Sequence, residues 1–122
     1  MPQIEIHSKS VYNCTMYEYR IEGGFPIKGT IKASGNKNAA LPCIAASLLT
    51  SEKVILRNIP EIEDTGVMLL ILQSFGAKVE KLSENAWEIN ASEISRNDIP
   101  PELSKKIRAS ILFAGPLLAR TE

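Results

Sequence analysis

The sequence has few of the residues that commonly mark metal or disulfide chemistry. Its 122 residues include two cysteines and one histidine. Cys14 and Cys43 lie far apart and match no metal-ligand spacing. We expect Cys43, which lies among apolar residues, to be a small buried side chain, and Cys14 to be a free thiol without a role. His7 has no acidic or cysteine cluster nearby, so we expect it at the surface.

An excess of one charge is also missing, and so are long apolar runs. Fourteen basic and fourteen acidic side chains cancel, which argues against a nucleic-acid partner. The longest strongly apolar stretches, residues 67–72 and 111–118, are too short to span a bilayer, so we expect no membrane partner. Residues 1–20 contain no apolar block of signal-peptide type. Together these absences, with 44% hydrophobic residues, predict a globular cytoplasmic chain with one modest core.

Hydrophobic periodicity and turn residues predict an alternating order of strands and helices. Residues 1–18 are expected to be a weakly structured extension, although residues 3–7 alternate like a strand. The predicted strands are residues 19–22, 28–33, 53–57, 78–81 and 87–90, with a Gly-Gly-Phe-Pro turn at residues 23–26. The predicted helices are residues 38–50, a second beginning after Asp64, and a third opened by Pro100-Pro101. This β-β-α-β-α-β-β-α order predicts an α/β layer in which helices pack on a mixed sheet.

The second and third helices have distinct internal signals. Asp64 is the predicted N-cap of the second helix, and Gly76 is its predicted left-handed end. The apolar face of this helix is expected to contain Val67, Met68, Ile71, Leu72 and Phe75. In the third helix we expect Ile107, Ile111 and Leu118 to point inward, and Gly115-Pro116 to kink or split it.

One polar turn before a predicted helix is the strongest functional signal. The segment reads Ser34-Gly35-Asn36-Lys37-Asn38-Ala39-Ala40-Leu41-Pro42. It places a cation and an amide beside backbone N–H groups at the positive end of a helix, which favours an anion. Lys37 is therefore a candidate ligand for phosphate or carboxylate, and the alternative is a solvated loop lysine. Asn38 is a candidate donor to the same anion, and it is also the expected N-cap.

Arg108 is the second candidate for anion binding. It precedes the small residues Ala109 and Ser110, which permit close approach of a ligand, and arginine favours bidentate recognition of phosphate. The alternative is an exposed cationic face. Arg120 falls on roughly the same face if the helix is straight. Among acidic residues, Glu61, Glu63 and Asp64 fit a solvated turn and helix start better than a metal site, and no P-loop, dinucleotide-binding glycine motif or Ser/His/Asp pattern is present.

The sequence from residue 19 to its end resembles the enolpyruvyl transferase family, and within it the members that act on UDP-N-acetylglucosamine. The matching segments are Ile21-Glu22-Gly23, Ile27-Lys28-Gly29, residues 34–42, Ala45-Ala46, Leu48-Leu49-Thr50, Asn58-Ile59-Pro60, Asp64, Gly76-Ala77-Lys78-Val79, Ile107-Arg108-Ala109-Ser110 and residues 115–120. The resemblance implies part of an inside-out α/β barrel domain made of repeated units. Residues 1–18 would be an extension, and residues 19–122 would be the N-terminal part of a truncated transferase domain.

The resemblance also implies a reaction and roles for individual residues. Lys37 and Asn38 would bind phosphoenolpyruvate, and Arg108 would bind UDP-N-acetylglucosamine. The enolpyruvyl group would pass to the sugar 3-hydroxyl with release of phosphate, the first committed step of peptidoglycan precursor synthesis in the cytoplasm. No cofactor or metal ion is implied. The family's catalytic cysteine and aspartate would lie beyond Glu122, so this chain would contain no catalytic residue and would be inactive alone.

Two other functions compete with this interpretation. The related 5-enolpyruvylshikimate-3-phosphate synthase usually carries Gly-Asp-Lys-Ser at the lysine, whereas this chain has Gly35-Asn36-Lys37-Asn38, which favours the UDP-sugar enzyme. A non-catalytic remnant or binding module is the alternative from another class. Asn36 itself departs from the alanine usual in the family, and we expect this change to leave Lys37 in place.

Overall fold

A computed structural model describes residues 4–11, 14–21, 23–24, 26 and 28–121, with side chains described from residue 20 to residue 120. The chain divides into two units, residues 1–32 and 33–122. In the described part, no helix is long and apolar enough to cross a membrane.

The first unit contains an antiparallel pair of strands. Strand β1 (Ile4–Val11) pairs with β2 (Cys14–Ile21), from Ile4 opposite Ile21 to Val11 opposite Cys14. The sequence predicted a weakly structured extension here with strand-like alternation in residues 3–7 only. The structure differs because the backbone groups of the two segments pair along eight positions each, which a single isolated strand cannot do.

Two other predictions concern the segment after β2. The predicted strand at residues 19–22 is the end of β2 as far as Ile21, and Glu22 lies outside the described residues, as do Phe25 of the predicted turn and Ile27. The predicted strand at residues 28–33 is wrong, because these residues have no regular structure and Ile31 is 90% exposed. A strand needs a hydrogen-bonded neighbour, and no described strand pairs with this segment.

The second unit is built on a three-stranded sheet. Its strands are β3 (Lys53–Arg57), β4 (Lys78–Ser83) and β5 (Ala86–Asn90), arranged in the order β3-β5-β4. Both pairings are antiparallel, so the expected mixed sheet is wrong. The predicted β4–β5 hairpin is confirmed. Leu56, Val79 and Trp87 from the three strands pack against the core beneath the sheet.

Helices α1 (Lys37–Ala46) and α2 (Glu63–Ser74) pack against each other. All five residues of the predicted apolar face of α2 are buried, and Gly76 has a φ of 103°, as its predicted left-handed role requires. The N-cap prediction is wrong, because Asp64 lies inside the first turn. The Ile62 N–H donates instead to the Thr65 hydroxyl at 3.3 Å, which leaves the Asp64 carboxylate available for another contact.

The predicted third helix is three separate pieces. They are α3 (Pro101–Ser104), a 3-10 segment (Arg108–Phe113) and α4 (Ala114–Thr121). Gly115 and Pro116 do not kink a helix, because they lie in the first turn of α4, where proline is tolerated. Since the 3-10 segment has three residues per turn, the inward face changes. Ile107 is buried as predicted, but Ile111 and Leu118 are exposed, and Phe113 and Leu117 are buried in their place.

A single cluster of apolar side chains forms the core of the second unit. Its fully buried members are Ile44, Leu48, Met68, Ile71, Leu72, Phe75, Ile89 and Phe113. The rings of Phe75 and Phe113 meet edge to face with centroids 5.3 Å apart, which attaches the 3-10 segment to α2. Cys43 is exposed, so the prediction of a buried thiol is wrong.

Arg120 was expected on roughly the same face as Arg108 if the helix were straight, but the two residues lie on different elements. The Arg120 guanidinium donates to the Leu48 carbonyl at 2.8 Å and to the Ala91 carbonyl at 3.0 Å. These two bonds connect α4 to the middle residue of the 3-10 turn Ser47–Leu49 and to the residue after β5. The donors of Arg120 that make these bonds are therefore already used within the fold.

Candidate functional site

The polar turn before α1 is fixed by backbone packing. Gly35 lies against the end of β3, where a Cβ atom would overlap the Asn58 carbonyl oxygen and approach the Pro60 ring to 2.8 Å. Asn58 has a φ of 59°, a left-handed conformation that turns the chain at this point. The start of α1 and the segment leading to α2 are thus held together backbone to backbone, which only glycine at position 35 permits.

Asn36 is the residue that caps α1. Its side-chain Oδ1 accepts a hydrogen bond from the Ala39 N–H at 3.2 Å, and its carbonyl accepts from the Ala40 N–H at 3.0 Å. The helix therefore begins at Lys37, and the expected capping role of Asn38 is wrong. Because a helix leaves its first N–H groups without internal partners, those of Lys37 and Asn38 remain unbonded among the described residues.

We predict that Asn36→Ala destabilises the chain through loss of this cap. The expected decrease in the free energy of unfolding is about 1 kcal/mol, the usual cost of removing an N-cap side chain. Urea denaturation followed by circular dichroism measures it. Asn38→Ala is the matched control, since this neighbouring amide makes no capping bond, and it should change stability by less than about 0.5 kcal/mol. Equal effects of the two substitutions would contradict the assignment of the cap.

The Lys37 ammonium forms an ion pair with the Asp64 carboxylate. Lys37 is the first residue of α1 and Asp64 the second residue of α2, so the pair joins the starts of two helices. The Lys37 side chain is 49% exposed and that of Asp64 is 34% exposed. The ammonium is therefore accessible to solvent while it holds this partner. Such accessibility is what an anion arriving from solution requires.

Glu61, the acidic residue just before α2, makes two contacts that the sequence did not predict. The Glu61 carboxylate pairs with the Lys81 ammonium at 2.6 Å and accepts a hydrogen bond from the Asn85 N–H at 3.2 Å. The bond with Lys81, followed by that with the Asn85 amide, lowers the pKa of Glu61 below its usual range. Glu61 thus links this segment to the β4–β5 hairpin. Within the described ranges, no three His, Cys, Asp or Glu side chains form a group that could hold a metal ion.

Arg108 lies on a different element from Lys37. It is exposed and begins the 3-10 segment, which packs against α1. No carboxylate among the residues described forms an ion pair with it. The structure thus brings Lys37 and Asn38 together at one helix start and places Arg108 on a neighbouring element.

Lys37, Asn38 and Arg108 are not among the lining residues of a cavity of about 460 Å³. It is formed by the 3-10 segment, α4 and the loop before α3, and its lining residues are Asn97, Ile99, Ser110, Ile111, Ala114, Leu117 and Leu118. This lining is mostly apolar and contains no cation, so it does not suit an anionic ligand. We therefore place the candidate site at Lys37, where charge and free donors coincide, and not in this cavity.

Sequence reasoning found Lys37 and Asn38 but missed two neighbours of the site. The capping role of Asn36 was visible in the sequence, because asparagine is a preferred residue just before a helix, where its side chain accepts from the N–H three residues later. The pairing of Lys37 with Asp64 had none, since residues far apart in the chain meet only through the packing of α1 on α2.

Comparison with known proteins gives consistent matches. The family of EPSP synthase (3-phosphoshikimate 1-carboxyvinyltransferase) matches residues 21–122. UDP-N-acetylglucosamine 1-carboxyvinyltransferase of Treponema denticola is 59% identical over 106 residues, which are 87% of this chain and 25% of the relative. The enzyme of the same name from Treponema pallidum is 54% identical over 102 residues, or 84% of this chain and 24% of the relative. The chain thus spans about a quarter of the length of these curated relatives.

A solved structure is similar to the fold. The enolpyruvyl transferase NikO from Streptomyces tendae matches 81% of this chain and 23% of its own chain, with a TM-score of 0.69 and 27% sequence identity. Together with the family match, this similarity confirms the predicted fold class, an α/β part of an enolpyruvyl transferase fold.

Proposed function

The chain belongs to the EPSP synthase family of carboxyvinyltransferases, and we propose that within it the chain is the N-terminal part of a UDP-N-acetylglucosamine 1-carboxyvinyltransferase. The observation that carries this proposal is the start of α1, where an accessible ammonium lies beside two unbonded N–H groups. The identity of 59% to the Treponema denticola enzyme supports the choice of UDP-N-acetylglucosamine as the acceptor. A cytoplasmic location stays a prediction of the resemblance.

The proposed reaction is an addition followed by an elimination. The sugar 3-hydroxyl loses its proton to a base as its oxygen bonds to C2 of phosphoenolpyruvate, and the electron pair of the C2–C3 double bond takes up a proton at C3. The C2–O bond to phosphate then breaks, phosphate leaves with that electron pair, and loss of a proton from C3 restores the double bond. Both the carboxylate and the phosphate are negative throughout, so fixed cations and N–H donors nearby stabilise the tetrahedral species.

We assign phosphoenolpyruvate to Lys37 and Asn38. The Lys37 ammonium offsets anionic charge, and the two free N–H groups at the positive end of α1 are suitable donors to phosphate or carboxylate oxygens. The cap from Asn36 and the packing of Gly35 hold these donors in place before any ligand arrives. Preorganised donors of this kind cost no reorganisation when charge develops.

We assign the UDP-sugar to Arg108. Its guanidinium has the fork of donors that matches a phosphate group, and it is exposed without an ion-pair partner in the described part of the chain. Its element packs against α1, the helix whose start carries the proposed phosphoenolpyruvate site.

The two competing functions are separable by ligand. A 5-enolpyruvylshikimate-3-phosphate synthase would bind shikimate 3-phosphate, and the motif Gly35-Asn36-Lys37-Asn38 with the named relatives favours UDP-N-acetylglucosamine instead. A non-catalytic binding module is the second candidate, because the chain spans about a quarter of the length of its curated relatives. Such a module would bind one ligand and turn over none.

The experiment uses a chimera, in which the Treponema denticola enzyme carries the matched 106 residues of this chain in place of its own. We expect the chimera to release phosphate from phosphoenolpyruvate with UDP-N-acetylglucosamine and not with shikimate 3-phosphate. We expect the 122-residue chain alone to release none. A folded chimera without turnover would contradict the proposed function. Turnover by the chain alone would contradict the proposal that the catalytic residues lie in the part of the relatives that this chain does not span.

A further inference from the structure

We propose that Asp64 is the resident counter-ion of Lys37, which holds the ammonium while the site is empty and must release it when an anion binds. The inference rests on the proposed function, because it concerns the same lysine. It adds a positioning residue on α2 that contacts Lys37 rather than the substrate. The observation behind it is the ion pair between the two side chains.

The backbone around this pair is fixed independently of the pair itself. Gly35 lies against the Asn58 carbonyl and the Pro60 ring, so the segment before α1 is in close backbone contact with the segment before α2. The Ile59 N–H donates to the Asn85 carbonyl at 2.9 Å, which ties the same segment to the β4–β5 turn. The segment that leads to Asp64 is thus packed against its neighbours and is not an unrestrained loop.

In the described part of the chain, the ion pair with Lys37 is the one polar contact seen for the Asp64 side chain. The α2 start is served by the Thr65 hydroxyl, which accepts from the Ile62 N–H. Glu63, beside Asp64 in the same helical turn, is exposed and forms no ion pair among the described residues. Both carboxylates lie in the first turn, where the positive helix end favours them, but among the described residues only Asp64 has an ion-pair partner.

The pair has opposite effects on an incoming anion. It restricts the long Lys37 side chain, which otherwise loses rotamer freedom on binding, but it also neutralises the charge that the anion needs. Because both groups are partly exposed, the pair itself is weak, and a multiply charged ligand displaces the carboxylate where a single weak anion does not. Repulsion by a carboxylate about 4 Å from the ligand lowers affinity about fivefold at water-like screening.

The test compares Asp64→Asn with Glu63→Gln in the 122-residue chain, since both substitutions remove one negative charge from the same turn. The first readout is the NMR order parameter of the Lys37 Cε methylene without ligand. We expect it to fall about twofold in Asp64→Asn, to the level of a freely moving side chain, and to be unchanged in Glu63→Gln. Asp64→Ser is the second variant, and amide spectra verify that each variant is folded.

The second readout is a titration with phosphoenolpyruvate, followed at the same methylene. We expect Asp64→Asn to bind about fivefold more tightly than the parent chain, and Glu63→Gln to change the dissociation constant by less than about twofold. Unchanged mobility of Lys37 in Asp64→Asn and Asp64→Ser would overturn the inference whatever binds. If Asp64→Asn bound phosphoenolpyruvate no more tightly than the parent chain, the inference that Asp64 must release Lys37 would be overturned. If phosphoenolpyruvate changes the signal of the Lys37 methylene in neither the parent chain nor any variant, the proposed function is contradicted. The inference that Asp64 releases Lys37 is then contradicted as well.

Discussion

Lys37→Ala in the chimera is expected to lower kcat/KM for phosphoenolpyruvate about 10²–10³-fold, the usual effect of removing one charge-stabilising donor. The reason is that Lys37 contributes the only side-chain cation at the start of α1 in the described part of the chain. Stability should change little, because a half-exposed ion pair is worth at most about 1 kcal/mol. Steady-state phosphate release and thermal unfolding of the same preparation measure the two quantities.

The control for this prediction is Lys32→Ala, which removes an exposed lysine outside the helix start. We expect it to leave kcat/KM within about twofold of the chimera, since Lys32 is not part of a helix start and therefore has no unbonded helix N–H groups of its own to bind an anion with. Loss of turnover in Lys32→Ala alone, or full turnover in Lys37→Ala, would refute the anion site.

Gly35→Ala is expected to destabilise the chain by about 3 kcal/mol or more, at the upper end of the cost of overpacking. The new methyl group would overlap the Asn58 carbonyl oxygen, which is backbone and cannot rotate away like a side chain. Relieving the overlap requires the start of α1 to move from the segment before α2. Urea denaturation gives the change in stability, and the amide spectrum shows whether the α1 start is displaced.

Gly66→Ala is the matched control for this substitution. Nothing lies within 4 Å of a Cβ at Gly66, which is inside α2. We expect alanine there to stabilise the chain by about 0.5–1 kcal/mol through its higher helix propensity. If Gly35→Ala proved as harmless as Gly66→Ala, the close packing of the two helix starts would be wrong.

The parts of the fold that the sequence predicted are those with a strong local period. Strand β3 has the predicted bounds, and all five residues of the predicted apolar face are buried. A short apolar run between turn residues and a 3.6-residue period both depend on neighbours in the chain. Gly76 was predictable for the same reason, because a left-handed helix end is a local requirement.

The predictions that are wrong depend on contacts between distant residues. Cys43 was expected inside because its sequence neighbours are apolar, but α1 is apolar on both sides and packs on α2 with only one of them. Ile111 and Leu118 were placed inward by assuming one continuous helix, whereas the 3-10 segment rotates the buried face to Phe113 and Leu117. The local sequence pattern does not show which face of a helix packs against another element.

The candidate site shows the same division. Lys37 and Asn38 are visible in the sequence because a cation beside a helix start is a local pattern. Asp64 was expected to cap its own helix, and its contact with Lys37 depends on the packing of α1 against α2. The sequence therefore identified the groups that would meet an anion, but not the group that neutralises one of them.

The central claim is that the start of α1 binds phosphoenolpyruvate, and an NMR titration of the ¹⁵N-labelled chain tests it most directly. We predict saturable shifts that are largest at the backbone amides of Lys37 and Asn38, because these N–H groups have no partner in the described part of the structure. Asn36→Ala, which loosens the cap, should weaken the response. Shifts that are absent at these two amides, or largest elsewhere in the chain, would contradict the account.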